Sequence, residues 1–185
     1  MKYLIIGLGS MGRRRIRCLL NLRIKCSQIY GYDLNKERSN SVEKEYSINV
    51  LESLEDINFF DRIIISTSPE SHIEYLKLAI KNNKPCFVEA SVCHVEALKE
   101  ISKKITNQIV IPSSTMSYFK AQKKISELMN EQILGNLSYG FYHTGQWLED
   151  WPPWEKIEDF YVSNQETGGC REIVPFELNW LVQIF

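Results

Sequence analysis

Tyr3-Leu4-Ile5-Ile6-Gly7-Leu8-Gly9-Ser10-Met11-Gly12 decides the fold. The apolar run Tyr3 to Ile6 is strand-sized and unbroken by polar residues, which suits a strand covered on both faces. From Met11 to about Leu22 the period turns helical, with Ile16, Leu19 and Leu20 set among arginines. Between strand and helix, Gly7-x-Gly9-x-x-Gly12 supplies a tight turn, a close backbone approach to a pyrophosphate, and close helix–strand packing. The turn residues Gly7, Gly9, Ser10, Met11 and Gly12 are therefore candidate cofactor-binding residues. The orphan N–H groups and positive end of the helix are their attraction for phosphate.

Outward from that turn, the same alternation repeats. Strands are expected at 28–32, 48–50, 61–67, 86–89 and 109–111, and helices at 42–46, 71–82 and 95–104. Such regularity predicts an α/β fold with a mostly parallel sheet over residues 1–115. Asp33 follows the second strand, 21 residues after Gly12, where a carboxylate can accept the ribose hydroxyls of an adenosine. It also repels a 2′-phosphate, so NAD is the expected cofactor; Lys36 and Arg38, which can meet a phosphate, keep NADP as the alternative. Thr67 and Pro69, at the end of the fourth strand, are placed to wall the nicotinamide side. Ser71 is placed to cap the next helix. His72 either packs or reaches the cleft, and Glu89 either orients a ligand or caps the following segment. Of Arg13, Arg14 and Arg15, at most one cofactor contact is expected, the rest being solvated or ion-paired.

After Pro112 the pattern changes. Residues 119–129 read as a helix, and 137–143 alternate loosely as the expected start of a second, mostly antiparallel sheet. Trp147, Trp151 and Trp154 surround Pro152-Pro153 in what reads as an ordered loop. These indoles suit the apolar faces of a sugar or pin the loop to a core. The chain stops on the apolar Leu181 to Phe185, from which a truncated second domain, 116–185, is expected.

Composition bounds the function. Hydrophobic residues make 44% and charged residues 24% of the 185, with a net charge of −1, which points to neither nucleic acid nor membrane as a partner. The five cysteines have no CxxC spacing and read as buried free thiols in a reducing, cytoplasmic setting. No metal is expected.

Gly7-Leu8-Gly9-Ser10-Met11-Gly12-Arg13-Arg14, Ser66-Thr67-Ser68-Pro69-Glu70-Ser71-His72, Phe87-Val88-Glu89 and Gly168-Gly169-Cys170 together resemble the Gfo/Idh/MocA oxidoreductases. The resemblance implies a Rossmann domain and a second α/β domain with an open sheet that often forms oligomers. It implies an NAD(P)-dependent oxidoreductase of carbohydrate metabolism, acting on a sugar, nucleotide-sugar or cyclitol hydroxyl. The tryptophan segment is similar to a subgroup associated with bacterial surface-sugar biosynthesis. The departures are specific. Ala90 stands where the family carries its catalytic lysine, and Ser91 where it carries proline. Val174 and Leu178 stand at its aspartate and histidine, and Thr115-x-Ser117-Tyr118 at its asparagine-arginine-phenylalanine element. Alanine cannot carry the proton that accompanies hydride transfer. Either other residues serve (Glu89, His94, His143, Glu172 or Glu177, with His143 and Glu172 preferred), or the chain is a non-catalytic binding paralogue or fragment.

Overall fold

The computed structural model describes the chain except residues 91, 92, 106, 134, 146, 148–157, 159, 160 and 185, and the side chains of Cys170 and Glu172. It divides into two units, Met1–Ser113 and Ser114–Phe185.

The first unit is a six-stranded sheet in the order β3-β2-β1-β4-β5-β6. Its strands are β1 (Tyr3–Ile6), β2 (Ile29–Tyr32), β3 (Asn49–Val50), β4 (Arg62–Ile65), β5 (Cys86–Val88) and β6 (Val110–Pro112). Every pairing is parallel, and β1 sits between β2 and β4, with Ile6 level with Tyr32 and Ile65. The connections are α1 (Ser10–Asn21), α2 (Lys36–Tyr46), α3 (His72–Lys81) and α4 (Val95–Lys104), besides short 3-10 turns.

Alternate residues of the central strands feed two cores. Leu4, Ile6, Ile63, Ile65 and Val88 pack with Tyr75, Leu76 and Ala79 of α3 and Ile101 of α4. Ile5 and Ile29 pack with Ile16 and Leu19 of α1 and Val42 of α2. This two-sided cover explains why β1 and β4 carry no polar alternation. At about 25 cal/mol per Å² of apolar surface, such burial dominates the stability of the unit.

Three expectations differ from the structure in this unit. The second helix starts at Lys36, well before Val42, because Asn35 caps it through the Arg38 N–H and its first turns are polar. Ser71 precedes α3 without a side-chain cap; its Oγ instead donates to Thr67 Oγ1 at 2.7 Å. The cysteines also differ from the uniformly buried thiols expected. Cys18 is exposed, and Cys26 and Cys93 are half-buried. Cys86 is buried, and burial pushes its thiol up to about 11.

The second unit holds a 3-10 turn at Thr115–Tyr118, α5 (Lys120–Asn130), a 3-10 turn at Tyr161–Ser163 and α6 (Cys170–Leu181). Residues 137–145 form neither helix nor strand, so the sheet start expected at 137–143 is not found there. Among the described residues, no helix is long and apolar enough to cross a membrane.

Candidate functional site

In an open parallel sheet, ligands bind beyond the carboxyl ends of the strands, where the strand order reverses. Here the reversal lies between β1 and β4, and the glycine turn follows β1. Gly7 has φ +89°, and a Cβ on it would lie 2.6 Å from the Ser66 carbonyl, so the turn presses against the end of β4. A Cβ on Gly12 would collide with the Gly7 carbonyl, which holds α1 close under the turn. A Cβ on Gly9 would meet nothing within 4 Å, leaving open space above the backbone.

Gly9 is the N-cap of α1 and supplies no capping side chain, and the first turn contains no acidic residue. The first intrahelical bond runs from Arg13 N–H to Gly9 carbonyl at 3.0 Å. The N–H groups of Ser10, Met11 and Gly12 precede it, so they and the positive end of the helix dipole are left to a ligand.

Asp33 closes the other side of the turn. Its Oδ2 accepts the Leu8 N–H at 2.7 Å, and its Oδ1 accepts the Asn35 N–H at 2.8 Å. Arg38 adds an ion pair at 3.2 Å from the half-exposed flank of α2. The Leu8 bond is invisible to motif reading, because it joins residues 25 apart through the β1–β2 pairing.

Beyond β4, Thr67, Ser68 and Pro69 turn into a 3-10 segment, Pro69–Ser71, that leads into α3. His72 is packed: it is 2% exposed, and its Nε2 lies 2.8 Å from the Thr67 carbonyl. Burial lowers its pKa from the ordinary value, against smaller raising effects from the Thr67 carbonyl, Glu89 and Glu70. The ring therefore props the strand-end turn from below.

Glu89, beyond β5, is buried and takes two bonds from Arg15 of α1, Nε to Oε1 at 2.6 Å and Nη2 to Oε2 at 2.8 Å. Ser66 Oγ donates to the same carboxylate at 3.4 Å. Arg13 pairs with Glu45, and Arg14 is exposed. Ala90 follows Glu89 half-buried, while Ser91 lies outside the described residues.

The sequence candidates thus gather around the carboxyl ends of β1, β2, β4 and β5: the glycine turn, Asp33, Thr67, Pro69, His72 and Glu89. His94 takes a left-handed backbone ahead of α4, with its ring 3.1 Å from the Glu70 carbonyl. His143 is exposed in the irregular segment of the second unit, and the Glu172 side chain lies outside the described residues. Glu177, on α6, is buried and accepts the Tyr142 hydroxyl at 2.7 Å and the Trp180 indole N–H at 2.9 Å. Sequence reading missed Tyr142 and gave Arg15 no partner. Trp147 is exposed, and Trp151 and Trp154 lie outside the described residues. Among the described residues, no group of His, Cys, Asp or Glu is placed to hold a metal ion.

A family model described as "Oxidoreductase family, NAD-binding Rossmann fold" matches residues 1–113. No curated protein matches the chain. Among solved structures, apo scyllo-inositol dehydrogenase from Lactobacillus casei superposes with a TM-score of 0.62 at 17% identity, covering 74% of this chain and 43% of that one. Myo-inositol 2-dehydrogenase from Lactobacillus plantarum gives 0.62 at 20% identity, with 74% and 42% covered. Myo-inositol dehydrogenase from Lactobacillus casei, in complex with NAD(H) and myo-inositol, gives 0.62 at 18%, with 73% and 42% covered. At these identities the likeness is one of fold, and the chain spans less than half the length of these structures.

Proposed function

We propose, since this chain belongs to the Gfo/Idh/MocA family of oxidoreductases with an NAD-binding Rossmann fold, that residues 1–113 form the cofactor half of an oxidoreductase acting on a hydroxyl of a sugar, nucleotide sugar or cyclitol. One observation carries the reading. The uncapped start of α1, with open space above Gly9, faces the reversal in strand order, while Asp33 stands at the end of β2. That arrangement fits a dinucleotide with its pyrophosphate on the Ser10, Met11 and Gly12 N–H groups and its adenosine ribose on Asp33. Thr67, Pro69 and Glu89 would then line the nicotinamide side. When bound, the nicotinamide supplies the hydride chemistry, and this chain's residues bind it, orient it and wall it from water. Asp33 favours NAD over NADP, because its carboxylate repels a 2′-phosphate. Residues 116–185 are read as the beginning of the substrate-binding domain, and the inositol substrates named for the structural neighbours agree with a polyhydroxylated ligand.

A second reading, binding without turnover, draws on β5. Ala90 has no proton to exchange, and both oxygens of Glu89 are held by Arg15. The two readings share the cofactor and part at the chemistry.

The test is titration of the 1–185 chain with NADH and NADPH, followed by nicotinamide fluorescence, with Asp33→Ala alongside. Saturable NADH binding that weakens about 10- to 100-fold in Asp33→Ala, as expected for lost hydrogen bonds to a charged group, supports the reading. A folded chain that binds neither nucleotide overturns it. Oxidation of NADH in the presence of keto-sugars then separates enzyme from binder.

A further inference from the structure

We propose that Arg15 is a positioning residue for the nicotinamide half of the cofactor, acting through Glu89; the assignment rests on the dinucleotide reading above. Arg15 joins two parts of the cofactor crevice. It stands midway along α1, the helix whose first N–H groups would hold the pyrophosphate. Glu89 stands at the end of β5, two strands from β1 in the order β1-β4-β5. With Asp33 holding the adenosine side at β2, a dinucleotide crossing the reversal runs out over the ends of β4 and β5. The Arg15–Glu89 pair therefore ties the helix that carries the phosphate grip to the floor under the nicotinamide.

The pair is built for geometry. The guanidinium offers Nε and Nη2 as a planar fork to the two carboxylate oxygens, at 2.6 and 2.8 Å. A fork of this kind fixes direction as well as distance, which a single ammonium does not. The side chains are 17% and 8% exposed, so water and salt screen the pair little. The guanidinium also lies over the Phe87 ring, 4.6 Å from its centre, and Ser66 Oγ joins from β4 at 3.4 Å. Helix α1 and the ends of β4 and β5 thus meet in one shielded knot.

Buried ion pairs contribute little net stability, since desolvation offsets the attraction, but they hold a defined arrangement. In a crevice where a misplacement of about 1 Å in a reacting group costs about 100-fold, a defined arrangement is what the nicotinamide requires. Glu89, with both oxygens engaged, serves as the anchor of this brace.

ADP-ribose and NADH separate this role from a merely structural one. ADP-ribose carries the adenosine, the pyrophosphate and the second ribose but lacks the nicotinamide ring. The full 1–185 chain is titrated with each, as wild type, Arg15→Met, Arg15→Lys and Glu89→Gln. Arg15→Met is expected to weaken NADH about tenfold while ADP-ribose changes by less than about twofold, with a smaller emission gain from the bound nicotinamide. Arg15→Lys is expected between wild type and Arg15→Met. Equal losses for both ligands, or no loss for either, overturn the proposal. If Arg15→Met melts too low to titrate, Glu89→Gln decides by the same ratio. A folded wild type that binds neither ligand defeats the dinucleotide reading, and this proposal with it. A wild type that binds both, with variants that leave their ratio unchanged, defeats the Arg15 assignment alone.

Discussion

Helices α1 and α6 both start from glycine, with Gly9 and Gly169 as N-caps that provide no side-chain bond. Around α1, the turn follows a buried strand and opens onto the end of the sheet, and the N–H groups of its first turn are left for something that arrives. Around α6, the preceding turn folds on itself. Thr167 Oγ1 donates to the Tyr161 carbonyl at 2.7 Å, and Gly168 N–H donates to the Asn164 carbonyl at 2.8 Å. A Cβ on Gly168 would run into the Val162 carbonyl. One glycine pattern makes room for a ligand, and the other makes room for its own chain. What separates them is the strand end in front of the first and the wound 3-10 turn in front of the second.

The widest separation is expected from paired glycine variants. Gly12→Ala forces its methyl into the Gly7 carbonyl and should cost about 1–3 kcal/mol of stability in urea melts. It should also remove NADH affinity by about 100-fold or more, because the phosphate grip moves with the turn. Gly168→Ala should lose stability over the same range while NADH affinity stays within about twofold. If Gly168→Ala also abolished NADH binding, the contrast between the two turns would collapse.

A stability effect without a change in affinity is expected inside the second unit. Glu177→Leu leaves the Tyr142 hydroxyl and the Trp180 N–H without their acceptor and should cost about 1–3 kcal/mol, measured by thermal melting. Glu177→Gln, which keeps an oxygen acceptor, should lose less. NADH affinity should be unmoved by either, and a matching loss of NADH would tie α6 to the cofactor.

The gentlest probe is pH. Burial holds the His72 pKa below its unfolded value of 6.5. The unfolded chain therefore takes up a proton before the folded one does. The contribution of His72 is fully present above about pH 6.5 and fades as the pH falls through its folded value. His72→Gln should flatten the decline in stability between about pH 7 and about pH 5 relative to wild type. An unchanged slope would show that the ring is not the group being charged.

The first turn was legible because its signals are local: four apolar residues, three glycines and a helical period lie within twenty-two residues. Asp33 was legible by its distance from them. The start of α2 was not, because Lys36 to Ser41 has no apolar period and its cap is a single asparagine. Arg15–Glu89 was not either, since the partners are 74 residues apart and meet only through the order of the strands. Tyr142 and Glu177 are 35 apart, joined by packing that no period announces. The alternation at 137–143 suggested a strand, but alternation records which faces differ in polarity and does not supply a neighbour to pair with. Tyr139 and Phe141 there are exposed.

Asp33 grips the Leu8 N–H without waiting for a ribose, and so acts as a tie-rod across the mouth of the crevice. On the dinucleotide reading, a lineage drifting toward another dinucleotide cannot simply discard it, because the glycine turn would slacken in the same step. Asparagine at position 33 keeps an acceptor for Leu8 while removing the charge, which makes it a passable first step. Alanine removes the acceptor for Leu8 and the charge together.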